Sequence, residues 1–401
     1  MNTPCGNSQS LPNVPCIMQI AFGLLVAGIC AIPFSISLGQ MFFAGVFPCL
    51  LAGLIMRRTM PRLPVLAWLA ILFVAYALWT AARSPVAPGI TREALAVLWF
   101  MALPAAVLLV NSPARAAYIV KAFILGCCVR AGVVLIARPI AAARDSRDFI
   151  TAMIDRGSMT DGQMLMLGVI ATAAIILLRR RRCQPAGLWL AALVMEGAGL
   201  IVNLKRGSWF CAVIVLFFMF LMRGGWRYCA MTILVACAVL LLPPVRVRLA
   251  QLPHDMQYAG GRTTMWFKIA PAMVRAHPVF GWGYGVLDAE LLRRVDPGVE
   301  PNRNHLHSNP VNILVETGWT GLVLYLVWMA VGMWQAGWSM VRQRAAGGDL
   351  PAMALAVAMM LVALCANGLI EYNFGDTELM LVYAILLGIL PAFRGTNQEA
   401  T

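Results

Sequence analysis

The sequence predicts an all-α integral membrane protein of about twelve transmembrane helices, with a long outer loop carrying short helices between spans nine and ten. Three observations predict it. Hydrophobic residues make up 61% of the 401-residue chain and charged residues only 12%, with a mean hydropathy of +0.78; ordinary soluble domains carry about 25% charge. The apolar residues fall into runs near the ~20 residues a helix needs to cross the hydrocarbon. The charges lie mostly in the short segments between those runs.

The predicted spans are Ile17–Phe34, Ile36–Met56, Val65–Ala81, Ala94–Val110, Ala116–Ala137 and Gln163–Leu178. They continue as Gly187–Asn203, Ser208–Met222, Ala230–Leu242, Pro310–Trp334, Met353–Ile370 and Leu379–Leu390. Several are short, so their ends are expected to extend into the flanking loops. The first run is read as a retained span, because no basic region precedes Ile17 and no small-residue cleavage site follows. Neither a polar linker nor an internal repeat divides the chain, and a single polytopic domain over residues 1–401 is the economical reading.

Orientation follows from Lys and Arg, which stay on the cytoplasmic side of short loops. One set of alternate loops holds Arg57, Arg58, Arg62, Arg115, Arg179 to Arg182, Arg223, Arg227, Arg342, Arg344 and Arg394, with Asp349 and Glu399 the acids among them. The opposite set mixes signs, as in Asp145, Arg147, Asp148, Asp155 and Asp161. Both termini are therefore expected in the cytoplasm, with the mixed loops on the periplasmic side. The formal net charge of +14 is dispersed over these loops, which speaks against a nucleic-acid partner. The eleven cysteines form no Cys-x-x-Cys pair, and those inside apolar runs, such as Cys30, Cys127, Cys128, Cys211 and Cys365, read as structural thiols.

The longest outer segment, Pro243 to Asn309 (residues 243–309), holds all four histidines: His254, His277, His305 and His307. Long ordered loops tend to carry function. Within it, Arg262–Arg275 has helical spacing, with Met265, Trp266, Ile269, Met273 and Val274 on one face, and suits a helix lying in the membrane interface. It should stop at His277–Pro278, after which Gly281, Gly283 and Gly285 permit a tight turn. Lys205 and Arg206, at the outer end of span seven, run against the positive-inside trend, and Arg262 opens the interfacial helix. Arginine pairs with phosphate oxygens in a flat two-donor geometry, so these residues suit a phosphate-bearing substrate; the plainer alternative for Lys205 and Arg206 is a lipid-headgroup anchor. His307, leading into span ten, suits proton removal from a hydroxyl near neutral pH; His305 is a possible support. Of the close acidic pairs, Asp288 with Glu290 and Asp376 with Glu378, neither has a third ligand, which favours chemistry with neither metal nor other cofactor.

Taken together, these residues resemble the O-antigen ligase and polymerase family of membrane glycosyltransferases. The resemblance rests on His307, Asn309, Ile313, Leu314, Glu316, Gly318 and Gly321, on the turn from Pro278 to Gly285, on Arg206-Gly207, and on Arg262 with Trp266. Ser308 departs from the asparagine common at that position. The resemblance implies an inverting, metal-independent transfer from undecaprenyl-diphosphate-linked O-polysaccharide to lipid A-core at the bilayer surface. It implies His307 as general base, with Arg206 and Arg262 holding the diphosphate; Lys205 and Arg138 are helpers by position, and Asn309 a support.

Polymerases share the same motifs, so ligase and polymerase stay unseparated; family members that glycosylate proteins are usually longer. A secondary transporter is the other class. Its best support is Glu196 at mid-depth in span seven; Arg130 in span five lies at a similar depth, and the two are expected to pair.

Overall fold

The computed structural model describes residues 16–57, 61–86, 89–178, 186–253, 261–343 and 349–394. Arg58, Arg179 to Arg182, His254, Arg344 and Glu399 lie outside the described residues. Among the described residues all regular structure is helical. The chain runs through α1 (Cys16–Ala31), α2 (Ile36–Arg57), α3 (Val65–Ala82), α4 (Arg92–Leu109), α5 (Pro113–Ala143) and α6 (Phe149–Asp155). Next come α7 (Met159–Leu178), α8 (Ala186–Val202), α9 (Arg206–Leu221), α10 (Trp226–Leu240) and α11 (Pro243–Ala250). The loop region supplies α12 (residues 262–276) and α13 (Ala289–Val295), followed by α14 (Asn309–Gln343), α15 (Leu350–Gly368) and α16 (Thr377–Gly388).

Each predicted apolar run is helical, and the runs lengthen where a cap permits it. Pro113 sits in the first turn of α5, and the Ser112 hydroxyl accepts the Arg115 N–H at 3.3 Å. By length and composition seven helices among the described residues (α2, α3, α4, α5, α7, α14 and α15) suffice to cross a membrane, or eight if the pair α10 and α11, bent by 84°, counts as one span. Four further apolar helices have 10–17 residues. The chain is a multi-pass membrane protein.

Burial sorts the helices. In α7, 83% of the apolar window is buried, against 28% in α2, so α7 is central and α2 peripheral. The core packs α7 on α15 and α8, with α16 against α4. In α10 only Cys229 is buried, and its apolar surface faces outward.

Three expectations need correction. Helix α12 does not turn its apolar face to lipid. Met265, Ile269 and Met273 are buried against Leu287, Leu291, Leu292, Val299, Leu306 and Val315, so protein covers the apolar face assigned to lipid. The helix does stop at His277. Next, Arg130 and Glu196 do not pair. Arg130 donates to Asp161 at 2.5 and 2.7 Å, while Glu196 accepts from Thr172 at 2.9 Å and Cys128 at 3.7 Å. Equal depth fixed their heights in the bundle but not the faces on which they sit. Finally, the tenth apolar run is broken at Gly318, whose φ of 67° and ψ of −172° interrupt α14.

The break is repaired from outside. In an unbroken helix Trp319 and Thr320 would donate to Val315 and Glu316. Here Trp319 and Thr320 donate to Pro278 and Val279 at 2.9 and 3.4 Å, while Val315 and Glu316 accept from Trp282 and Gly283 at 3.0 and 2.8 Å. A Cβ on Gly318 would lie 2.2 Å from the Val279 carbonyl oxygen, and one on Gly281 would lie 2.4 Å from the Glu316 backbone. Both have positive φ. Only glycine permits this contact, which ties the turn after α12 to the start of α14.

Candidate functional site

A cavity of about 580 Å³ opens between the start of α9, the bend into α11, the start of α12 and the approach to α14. Its lining includes Lys205, Arg206, Arg248, Arg262 and Arg303, together with Glu300, Glu371 and His307. Five basic side chains against two carboxylates make it a positively charged recess of ligand size.

Lys205 caps α9 and Arg206 is its first residue. Between α8 and this start, Leu204 is held at φ 56°. The turn is braced by Asn203, which is fully buried and exchanges bonds with Ser158 at 2.9 and 3.2 Å. The Arg206 guanidinium donates to the Arg248 carbonyl at 2.9 Å, joining α9 to α11. Burial, and then the neighbouring Arg248, push the Lys205 ammonium down to about 8.

Arg262 reaches the cavity from the first turn of α12. It ion-pairs with Glu371 and donates through Nε to the Ile370 carbonyl at 2.9 Å. One helical turn later the Trp266 Nε1 donates to the Leu306 carbonyl at 2.7 Å. The Leu306 N–H donates in turn to Asn312 Oδ1 at 3.0 Å. Leu306 is thus clamped at both polar atoms, and the next residue, His307, is held at φ 55°. Among the described residues Leu204 and His307 are the non-glycine positions with positive φ. Both flank the cavity, where such conformations recur at functional sites.

His307 is buried and lies between two charged groups. Its Nε2 is 2.9 Å from Arg303 Nη1, and its Nδ1 is 3.8 Å from Glu371 Oε2. Arg303 also donates to Glu300 at 2.7 Å. For Glu371, burial acts to raise the carboxyl, but His307 and Arg262 outweigh it and hold it below its usual range. His305 packs its ring 4.7 Å from that of His307 and stacks on Tyr372 at 5.8 Å. Burial, and then His307, push His305 down to about 3, so it is a neutral neighbour at physiological pH.

The cavity brings together His307, Arg206, Arg262 and Lys205 of the residues expected from sequence. Arg138 and Asn309 are not among its lining residues. Arg138 is committed to Asp161 and to Asn203 Oδ1, behind the turn that carries Lys205. Asn309 is buried and accepts from Asn373 N at 2.7 Å and Phe374 N at 3.4 Å, fastening α14 to the segment before α16. Sequence reasoning passed over Arg248, Arg303, Glu300 and Glu371. Arg303, four residues before His307, was the most accessible signal among them.

The acidic pairs have other partners. Asp288 caps α13 by accepting the Leu291 N–H at 2.7 Å, and Glu290 pairs with Arg294 at 3.0 Å. Asp376, pushed up to about 7 by burial and then by Glu378, accepts from Thr160 at 3.2 Å.

With this geometry in place, the chain can be set beside known families. Residues 190–326 match the O-antigen ligase family. The matched stretch carries Lys205, Arg206, Arg248, Arg262, Arg303 and His307, most of the cavity's charged lining. Glu371 lies outside it. Members of this family are glycosyltransferase-like membrane enzymes. A search of curated proteins finds no match to the chain.

Proposed function

We propose that the chain is an O-antigen ligase. It transfers O-polysaccharide from undecaprenyl diphosphate to lipid A-core at the periplasmic face of a bacterial inner membrane, with both termini in the cytoplasm. The observation that carries this reading is the cavity, where one buried histidine shares a recess with five cations. The acceptor hydroxyl attacks the anomeric carbon of the donor sugar from the face opposite the diphosphate. As the new glycosidic bond forms, the bond from that carbon to phosphate breaks and the configuration inverts. His307 takes the hydroxyl proton. The bonding electrons leave with the diphosphate, whose growing charge is met by Arg206, Arg262 and Lys205; Arg138 supports them through the Asn203 turn, and no metal takes part.

An apolar groove of about 650 Å³ supports a lipid-linked donor. Its walls include Val169, Leu193, Leu216, Val235 and Leu249, and Phe210 lines both this groove and the charged cavity. A polyprenyl chain would lie in the groove with its diphosphate among the cations.

The test mixes purified protein with lipid-linked O-polysaccharide and lipid A-core, with and without a chelator, and reads transfer as a gel ladder. Ligation that survives the chelator and is lost in His307→Gln is the expected result. Longer lipid-linked chains without ligation would make the protein a polymerase. No transfer by folded wild type would reject the enzyme reading and return the transporter.

A further inference from the structure

His307 carries more information than its presence in the cavity, because its two ring nitrogens face groups of opposite kind. A guanidinium has donors and no acceptor. The 2.9 Å contact between Arg303 Nη1 and His307 Nε2 therefore requires the nitrogen to accept. In the neutral ring the proton then resides on Nδ1. Nδ1 is buried and makes no hydrogen bond, and the Glu371 carboxylate lies 3.8 Å from it. That separation is beyond hydrogen-bond reach, so the site is set slightly open.

Glu371 is also the partner of Arg262, through its other oxygen. The carboxylate thus spans the base and one of the cations assigned to the diphosphate. Arg303 likewise belongs to two groups, since it lines the cationic cavity while occupying the base's lone pair.

We infer that Arg303 covers Nε2 of His307 until donor phosphate draws it away, and that Glu371 is the positioning carboxylate that then holds the Nδ1–H tautomer, with Nε2 as the proton acceptor. The inference rests on the reading of His307 as the base. While Arg303 donates to Nε2, a guanidinium occupies the lone pair that would face the acceptor hydroxyl. Arg303 Nη2 already pairs with Glu300, and a diphosphate among Arg206, Arg248 and Arg262 offers Nη1 an anionic partner as well; a charge-assisted bond to phosphate is stronger than one to a neutral imidazole. Release of Nε2 then follows donor binding. Loosening of Arg262 toward phosphate leaves the Glu371 carboxylate free to close on Nδ1–H, which orients the ring and stabilises the imidazolium as it forms.

Four histidines make the test tractable. The full chain, with ¹⁵N-labelled histidine side chains, is examined in detergent, and His307 is assigned by the signals lost in His307→Gln. The wild type should show Nδ1 protonated and Nε2 as acceptor. Inorganic pyrophosphate should shift Nε2 away from its arginine-bonded position. With pyrophosphate present, Glu371→Ala should mix the two tautomers, and Glu371→Gln, whose amide oxygen still accepts, should restore the Nδ1–H form. In transfer assays Arg303→Gln should raise the donor KM by about tenfold, the loss of one charge-assisted bond, and lower kcat far less.

A protonated Nε2 in the wild type would overturn the tautomer assignment. An Nε2 signal that pyrophosphate leaves unmoved would overturn the displacement, as would equal falls in kcat and kcat/KM for Arg303→Gln. Wild-type signals as expected, together with full ligation by His307→Gln, would support the tautomer assignment while removing His307 from the chemistry, a failure of the proposed function instead.

Discussion

Replacing Arg262 by alanine should damage the protein in two separable ways. Arg262 faces the cavity, but it is also the ion-pair partner of Glu371, a carboxylate only 6% exposed. Removing the cation leaves that charge with His307 at 3.8 Å and deprives the Ile370 carbonyl of its 2.9 Å donor. Breaking a buried pair from one side costs about 3–5 kcal/mol. Because Glu371 borders an open cavity that water can enter, the low end, about 3 kcal/mol, applies. That is a large part of the ~5–15 kcal/mol by which proteins are stable. The double variant Arg262→Ala/Glu371→Gln removes the stranded charge and should recover most of this stability without recovering transfer. Thermal unfolding in detergent, alongside the ligation assay, separates the effects. The penalty should also shrink in acid: losing Arg262 raises the Glu371 carboxyl from its lowered position, and the charge is neutralised as pH falls. If the single variant were as stable as wild type, or the double no more stable than the single, the role assigned to the ion pair would be refuted. Loss of ligation in Arg262→Ala alone would then count as evidence for diphosphate binding, which otherwise it cannot do unaided.

Lys205 sets an alkaline limit. Its folded value of about 8 lies below the ordinary 10.5, so above pH 8 the cavity loses a cation and the donor KM should rise, while Lys205→Arg should hold it flat; folded stability should increase with pH over that window, since the unfolded chain binds the extra proton. Trp266→Phe keeps the ring but strands the buried Leu306 carbonyl, at about 1–3 kcal/mol, and should lower kcat more than donor affinity, as read by initial rates at varied donor. Gly281→Ala meets backbone at 2.4 Å in a positive-φ turn and should abolish folding or expression, whereas Gly132→Ala, with open space at its Cβ, should be tolerated; detergent gel filtration decides. Arg138→Lys keeps a charge for Asp161 but loses reach to Asn203, so donor KM should rise through a loosened Lys205 turn, with an effect of about 1.5–3 kcal/mol for a charged hydrogen bond. Unchanged donor KM would detach Arg138 from the site.

Much of the fold was legible because hydropathy is a local property. Each apolar run became a helix, and His277–Pro278 ended α12 where the residue before proline must leave the helical region. What hydropathy cannot report is the partner of a face. The stripe of Met265, Ile269 and Met273 required a cover, and lipid and protein satisfy it equally in sequence; Leu292, Val299 and Leu306 supply it here. The break at Gly318 was hidden for the same reason. Its run is apolar throughout, and the groups that repair the ladder come from Pro278 to Gly283, some forty positions earlier in the chain.

The site was legible where residue type announces chemistry and illegible where a common residue acts through position. Arg206, Arg262 and His307 stood out as cations and an imidazole at the outer ends of apolar runs. Glu371 looked like any loop acid, because nothing at 371 signals contact with 262 and 307. The fold makes that contact by carrying α15 back beside α9 and placing Glu371 just after its last turn. The stretch 190–326 contains the cations and the histidine but not the carboxylate that holds both Arg262 and the Nδ1 side of His307. A chain sharing only that stretch would have the cations, the histidine and its Arg303 partner without the carboxylate that follows α15. The segment that follows α15 therefore supplies part of the cavity wall as well as part of the bundle.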